Sequence, residues 1–173
     1  MNDTAQNAHD VDLMSIGGEG QQYLTFMLAG EEYGVDILRV QEIKGWDTVT
    51  KIPNTPEYIR GVINLRGTIV PIIDMRLRFN LEQLDYGATT VVIVVKVQGD
   101  NGKDRTMGIV VDAVSDVYNI LNDDFRESPD FGTAVDTNFV KGLTTVNEKM
   151  VILIDIDHMC NSAELKIIDS ISE

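Results

Sequence analysis

Residues 58–75 read Tyr58-Ile59-Arg60-Gly61-Val62-Ile63-Asn64-Leu65-Arg66-Gly67-Thr68-Ile69-Val70-Pro71-Ile72-Ile73-Asp74-Met75. Set without a gap on residues 139–156, this stretch matches in residue class at 12 of 18 positions. Tyr58 falls on Phe139, Arg60 on Lys141, Gly61 on Gly142, Leu65 on Val146, and Ile69 on Met150. Val70, Ile72, Ile73 and Asp74 then fall on Val151, Leu153, Ile154 and Asp155. A looser echo links Gly34, Asp36 and Val40 with Gly108, Asp112 and Val114. Repeated supersecondary units that cannot bury their apolar faces alone predict two similar lobes sharing an apolar interface. Positions common to both copies, Gly61/Gly142 and Asp74/Asp155, are expected to serve turn geometry and strand ends. Positions that break the symmetry are better functional candidates: Asn64, Arg66 and Gly67 face Thr145, Asn147 and Glu148.

Outward from the repeat, the chain reads as short β-branched runs divided by Gly, Pro, Asn or Asp, the pattern of an all-β barrel or sandwich. Leu24, Phe26 and Leu28 alternate with Tyr23, Thr25 and Met27, predicting a strand with one buried face, and Gly30-Glu31-Glu32 turns it into a hairpin with Tyr33 to Ile37. Further strands are expected at Val62-Ile63, Ile69 to Ile73, Val91 to Val97, Met107 to Val111 and Val151 to Ile156, with a tight hairpin loop at Asp100-Asn101-Gly102. Helices are few: Pro56 to Arg60, Asp74 to Phe79, and an amphipathic C-terminal helix through Leu165, Ile168 and Ile171, opened by Asn161 and Glu164 as a capping box. Residues 1–20 carry four acidic side chains, no basic one and a Gly-rich break, which predicts a flexible acidic tail ahead of a single domain over 21–173.

Composition narrows the chemistry. The 173 residues include 28 acidic and 14 basic side chains, a net charge of −14, and the pI near 4.4 argues against nucleic acid as a partner. One cysteine, Cys160, excludes an intrachain disulfide, and two histidines, His9 and His158, are too few for a His-based zinc site. No phosphate-cradling glycine loop, dinucleotide turn or nucleophile elbow occurs, so neither cofactor nor catalysis is expected. Asp155 with Asp157, or Asp123 with Asp124, is read as solvated or turn-forming rather than as an acid/base pair. No apolar run approaches the ~18 residues of a membrane helix. With no secretory signal pattern either, a cytoplasmic protein without direct membrane insertion is expected.

Charge distribution supplies the positive clue. Residues 39–78 hold 7 basic and 4 acidic side chains, +3, so the remainder carries −17. A locally basic surface on an acidic protein suits docking to a protein partner. Arg66 is the sharpest candidate, on a turn between two apolar runs and flanked by Asn64 and Gly67, where rigid strands present a loop residue outward.

The combination of motifs resembles the CheW family of chemotaxis coupling proteins. The resemblance lies in Asn64-Leu65-Arg66-Gly67 with Ile69 to Arg76, in Tyr33-Gly34-Val35-Asp36-Ile37 with Val40-Gln41-Glu42-Ile43, and in Ile52-Pro53-Asn54-Thr55-Pro56 leading to Arg60-Gly61-Val62. Gly108 to Asp112 with Val114 to Val117 extends it to roughly residues 20–170, with a longer hairpin at 98–105 as the departure. The resemblance implies two five-stranded, SH3-like β-barrels and a non-catalytic adaptor that bridges the cytoplasmic tips of methyl-accepting chemoreceptors to the regulatory domain of the histidine kinase CheA. It places the protein at receptor arrays beneath the inner membrane. Carried over by motif, Glu42, Gly61, Asn64 and Arg66 fall at receptor or kinase contacts, Thr90, Val91 and Val92 on the strand of a receptor-facing groove, and Val40 and Arg60 at the kinase contact. Two other readings stay open from the residues alone: a coupler for a non-flagellar pathway, and a small-ligand binder or enzyme on the same fold.

Overall fold

The computed structural model describes residues 20–99, 102–127 and 139–160. Ten strands are present: β1 (Gly20–Leu28), β2 (Glu31–Asp36), β3 (Val40–Gly45), β4 (Ile59–Leu65), β5 (Thr68–Asp74), β6 (Val91–Gln98), β7 (Asp104–Val111), β8 (Ala113–Leu121), β9 (Val140–Val146) and β10 (Lys149–Ile154). Two short helices, α1 (Met75–Arg78) and α2 (Ile156–Cys160), follow the last strand of each copy of the repeat. Asp74 and Asp155 open them, each carboxylate accepting a backbone N–H three residues on, from Leu77 and His158. The expected end-of-strand role of these two aspartates is thus met.

The strands form two five-stranded sheets, ordered β8-β1-β2-β10-β9 and β3-β6-β7-β5-β4. The mainly β class and the five-strand count agree with expectation; the connectivity does not follow the lobes read from the sequence. In sequence the repeat runs β1 to β5 and then β6 to β10, yet each sheet takes its first hairpin from one copy and its last three strands from the other. Hairpin β1–β2 joins β10 in parallel through Gly34 opposite Leu153, and hairpin β6–β7 joins β5 in parallel through Gly108 opposite Ile72. Neither half of the chain can therefore complete a sheet alone.

Hairpin exchange explains why β6 is apolar from Val91 to Val95 and β7 from Met107 to Val111. Ile93, Val95 and Val97 of β6 enter the core between the sheets with Phe26, Ile73, Met107 and Ile109, while Val92 and Val94 pack on the opposite face with Val70, Ile72 and Val110. A strand buried on both faces reads as a continuous apolar run. For the same reason β1 has two buried faces rather than the expected one. Leu24, Phe26 and Leu28 face the shared core, and Tyr23 faces a smaller cluster with Ile120, Val151 and Leu153. Thr25 is wholly buried and exchanges hydrogen bonds with the Asp116 backbone at 3.0 and 3.1 Å, which satisfies its hydroxyl.

The edges of each sheet meet at one isolated antiparallel bridge, Thr50 with Val62 and Arg126 with Leu143. Among the described residues no ladder joins β3 to β4 or β8 to β9. The two repeat glycines sit beside these bridges, not in turns as expected. A Cβ on Gly61 would lie 2.3 Å from the Thr50 carbonyl oxygen, and one on Gly142 2.3 Å from the Phe125 ring. Both glycines admit a close backbone approach within a strand, at a register shift in the β4–β5 and β9–β10 ladders.

Other local expectations divide by burial. Pro56 to Arg60 is a turn leading into β4, not a helix, because Ile59 is already drawn into the core opposite Ile73. β3 and β8 carry so many exposed polar side chains that periodicity did not mark them as strands. The hairpin around residues 98–105 is present as eight antiparallel rungs of β6 and β7. Asp100 and Asn101 at its tip, the acidic tail before Gly20, and the expected helix after Cys160 lie outside the described residues.

Arg78 lies between the paired rings of the two repeat copies, 4.2 Å over Phe139 and 5.0 Å over Tyr58, so one cation serves both. Arg39, on the turn between β2 and β3, holds Asp157 of α2 at 2.6 Å, and the other oxygen of that carboxylate accepts the Gln98 N–H at 2.8 Å. This node ties the sheet crossover to the end of β6. Beside it, Cys160 has no exposed surface, and burial pushes its thiol up to about 12. A thiol reagent added to the native protein should leave Cys160 unlabelled and react stoichiometrically once guanidinium unfolds the chain. Rapid labelling under native conditions would refute the packing of α2.

Candidate functional site

The residues singled out in sequence converge on the sheet β3-β6-β7-β5-β4, around the seam between its two free edges. At one end of the seam stands the hairpin joining β4 to β5. Leu65 pairs with Thr68, leaving Arg66 and Gly67 as a two-residue loop with φ of 51° and 89°. Both left-handed values mark the turn whose twist matches antiparallel strands. Asn64 braces it, its Oδ1 accepting the Gly67 N–H at 2.8 Å. Gly67 suits its position; Arg66 does not, since a side chain other than Gly, Asn or Asp is strained there. In the second copy the matching loop residues, Asn147 and Glu148, also have positive φ, and the loop begins with the residue type better suited to it.

Arg66 reaches across the seam and pairs with Glu42 on β3 at 2.5 Å. The guanidinium side chain is 74% exposed and the carboxylate 30%. The hydrogen bond from Arg66 holds the Glu42 carboxyl below the usual carboxylate range, outweighing a small opposing effect of burial. An exposed pair of this kind contributes little to stability. Its geometry matters more, because it presents a fixed fork at the tip of a rigid hairpin.

At the other end of the seam Thr50 and Val62 exchange two backbone hydrogen bonds of 2.9 Å, with Gly61 at φ 142° immediately before. Arg60 lies 5.9 Å over the ring of Tyr86, and that ring packs on Trp46 with centroids 4.3 Å apart. The Tyr86 hydroxyl donates to buried Asp74. The Trp46 backbone N–H donates to the Thr90 carbonyl at 3.2 Å, and the buried Thr90 hydroxyl accepts the Gly87 N–H. Thr90 therefore anchors the entry into β6.

The three residues expected along the groove strand separate by face. Val92 is 3% exposed and lies beneath a cleft between the edges of β3 and β4, so it belongs to the core and to the cleft floor together. Val91 points the other way, packing on the core between the sheets. Val40, opposite Val95, packs on that same core. Of the nine candidates, Glu42 and Arg66 pair directly at the hairpin end and Asn64 braces the same turn through Gly67, while Gly61, Thr90, Val91 and Val92 shape the sheet beneath.

The basic surface expected over 39–78 largely dissolves in the folded chain. Arg39, Arg66 and Arg76 pair with Asp157, Glu42 and Asp112. Arg60 and Arg78 stack on aromatic rings. Arg76 binds Asp112 through both oxygens at 2.8 Å; burial raises that carboxyl, and the Arg76 and Ala29 hydrogen bonds overcome it and bring it below its ordinary value. Among the described residues, Lys44 and Lys51 alone of the seven cations have neither an ion pair nor an aromatic stack. Among the described residues no cluster of three His, Cys, Asp or Glu side chains could hold a metal ion.

Sequence reading passed over Trp46 and Tyr86, and took Lys44 only as one of the seven cations of the basic surface. Trp46 is the one tryptophan in the chain, which was the available signal; its contact with Tyr86 spans forty residues and has no local signature. Ile43 and Ile69, 44% and 42% exposed, flank the same hairpin end as apolar surface.

Comparison with known proteins places this arrangement among relatives. Residues 22–164 match the family model for the CheW-like domain. The chain is 46% identical over 160 residues to the chemotaxis protein CheW of Klebsiella aerogenes, covering 91% of this chain and 93% of that one. It is 33% identical to the chemotaxis protein CheW of Rhizobium meliloti, covering 84% and 90%. The crystal structure of the scaffolding protein TtCheW from Thermoanaerobacter tengcongensis superposes with a TM-score of 0.74 at 34% identity, covering 84% of this chain and 95% of that one.

Proposed function

The chain belongs to the CheW-like family, and we propose that it is a non-catalytic chemotaxis adaptor coupling methyl-accepting receptors to the histidine kinase CheA. The observation that carries this reading is the 46% identity to a chemotaxis protein along nine-tenths of the chain. Supporting it, the exposed end of the β3-β6-β7-β5-β4 sheet is built to be rigid and to face outward. A two-residue loop keeps Arg66 in a strained backbone conformation that forming the hairpin does not require, since Asn147 fills the matching place. Strain kept at an exposed residue points to a task in recognition.

Arg66, Glu42 and Asn64 meet a partner directly in this reading, beside the apolar rim of Ile43 and Ile69. Gly61, Thr90, Val91 and Val92 act beneath them, holding the backbone and core on which that surface rests. Val40 and Arg60 lie along the same sheet, toward the kinase contact. In this reading residues 21–173 act as one domain, and the adaptor reaches arrays at the cytoplasmic face of the inner membrane through its partners.

Reconstitution tests the proposal. Receptor-containing membranes, CheA and ATP are held constant while this protein is titrated, and kinase autophosphorylation is followed. The expected outcome is a large, saturable, receptor-dependent rise that attractant reverses. A folded protein that leaves phosphorylation unchanged with cognate partners would refute it.

A further inference from the structure

Between the Glu42–Arg66 pair and the Thr50–Val62 bridge, the facing edges of β3 and β4 have no ladder between them. They wall a cleft of about 210 Å³, floored by Ile72 and Val92 and flanked by Trp46, Val49 and Ile63. We propose that this cleft accepts an extended segment of a partner protein by strand addition, with one apolar side chain over Ile72 and Val92 and an acidic side chain at Lys44. This goes beyond the adaptor reading and does not depend on it.

Three observations select that occupant. Apart from Val62, whose backbone is taken by Thr50, β3 and β4 are each bonded on one side only, and alternate residues of such strands turn N–H and C=O groups outward, which an extended chain can satisfy. The cleft is too small for a helix, whose diameter with side chains is ~10–12 Å, yet its apolar floor suits a single aliphatic side chain. Lys44 supplies the charge. It lines the cleft and forms no ion pair among the described residues, although its charge also acts on Glu42, the carboxylate that Arg66 holds. A lysine on a bare edge discourages indiscriminate pairing, and the same charge admits a strand that brings a carboxylate to meet it. Asp47, on the rim beyond Trp46, turns its carboxylate to the Thr48 N–H at 2.7 Å. The opposed charges of Lys44 and Asp47 fix the direction of the incoming strand, acid toward Lys44.

Trp46 is the chain's single tryptophan and a wall of the cleft, so its emission reads occupancy directly. The full chain is titrated with a capped heptapeptide of alternating valine and glutamate, and separately with its valine–lysine counterpart. The expected result is a saturable change in Trp46 emission with the acidic peptide and at least tenfold weaker response to the basic one. Lys44→Glu, a surface change that should leave the thermal transition in place, is expected to reverse that preference. Absence of a saturable change with either peptide would overturn the proposal, as would equal responses that ignore Lys44→Glu. Saturation only by a peptide locked as a helix would overturn it too.

Discussion

Gly61→Ala should lower stability by roughly 3 kcal/mol, because the added Cβ meets a backbone that cannot yield. That Cβ would stand 2.3 Å from the Thr50 carbonyl oxygen and 2.8 Å from its carbon, and the backbone at φ 142° already excludes an ordinary L residue. Overpacking alone typically costs ~1–3 kcal/mol, and an unfavourable φ adds ~1–2 kcal/mol. Some of this is relieved if the Thr50–Val62 bridge opens, and that relief would itself unclasp the sheet. For a domain of this size ~3 kcal/mol corresponds to a melting temperature lower by about 6–12 °C, read by calorimetry or circular dichroism. The consequence for function follows from the fold: loss of coupling in Gly61→Ala should track the unfolded or unclasped fraction and recover on cooling. A melting temperature within a degree or two of the parent would refute this account and return Gly61 to the surface as a contact residue.

Arg66→Asn should do the reverse, abolishing receptor-dependent kinase stimulation while the protein keeps its melting temperature within about 3 °C. Two small terms oppose each other. Losing the exposed, solvent-screened pair with Glu42 costs little, and Asn at φ 51° relieves backbone strain. The substitution makes the β4–β5 loop like its counterpart, which already carries Asn147. Glu42→Gln separates two explanations of the loss. It removes the ion pair but keeps the guanidinium, so partial coupling should survive if Arg66 touches a partner. Equal losses in Glu42→Gln and Arg66→Asn would show instead that Arg66 acts by bracing the seam. Full coupling in Arg66→Asn would remove Arg66 from the interface.

Much of this was legible along the chain, and the reason is locality. The 58–75 and 139–156 repeat, the helix-opening aspartates and the two-residue loop at Arg66 all depend on neighbours a few residues away. So does the run from Val91 to Val95, whose unbroken apolarity marks a strand buried on both faces. The edge strands β3 and β8 were harder to see, because a strand with one free edge and an exposed face need not alternate cleanly. Pro56 to Arg60 misled because a turn and the first turn of a helix share their local cues; burial of Ile59 decides between them.

The order of residues alone dictates a β chain made of a unit used twice, with Arg66 and Asn64 standing where the copies differ. Tertiary structure decided which unit pairs with which. The exchange of hairpins β1–β2 and β6–β7 between the two sheets is a matter of non-local strand choice, and nothing in either hairpin's own residues announces its partner. It also decided the electrostatics. Seven cations counted along residues 39–78 became three ion pairs, two aromatic stacks and two unpaired lysines once distant carboxylates and rings came within reach. Charge along a chain is additive, but the field at a surface depends on distances of a few ångströms, and those exist only after the chain has folded.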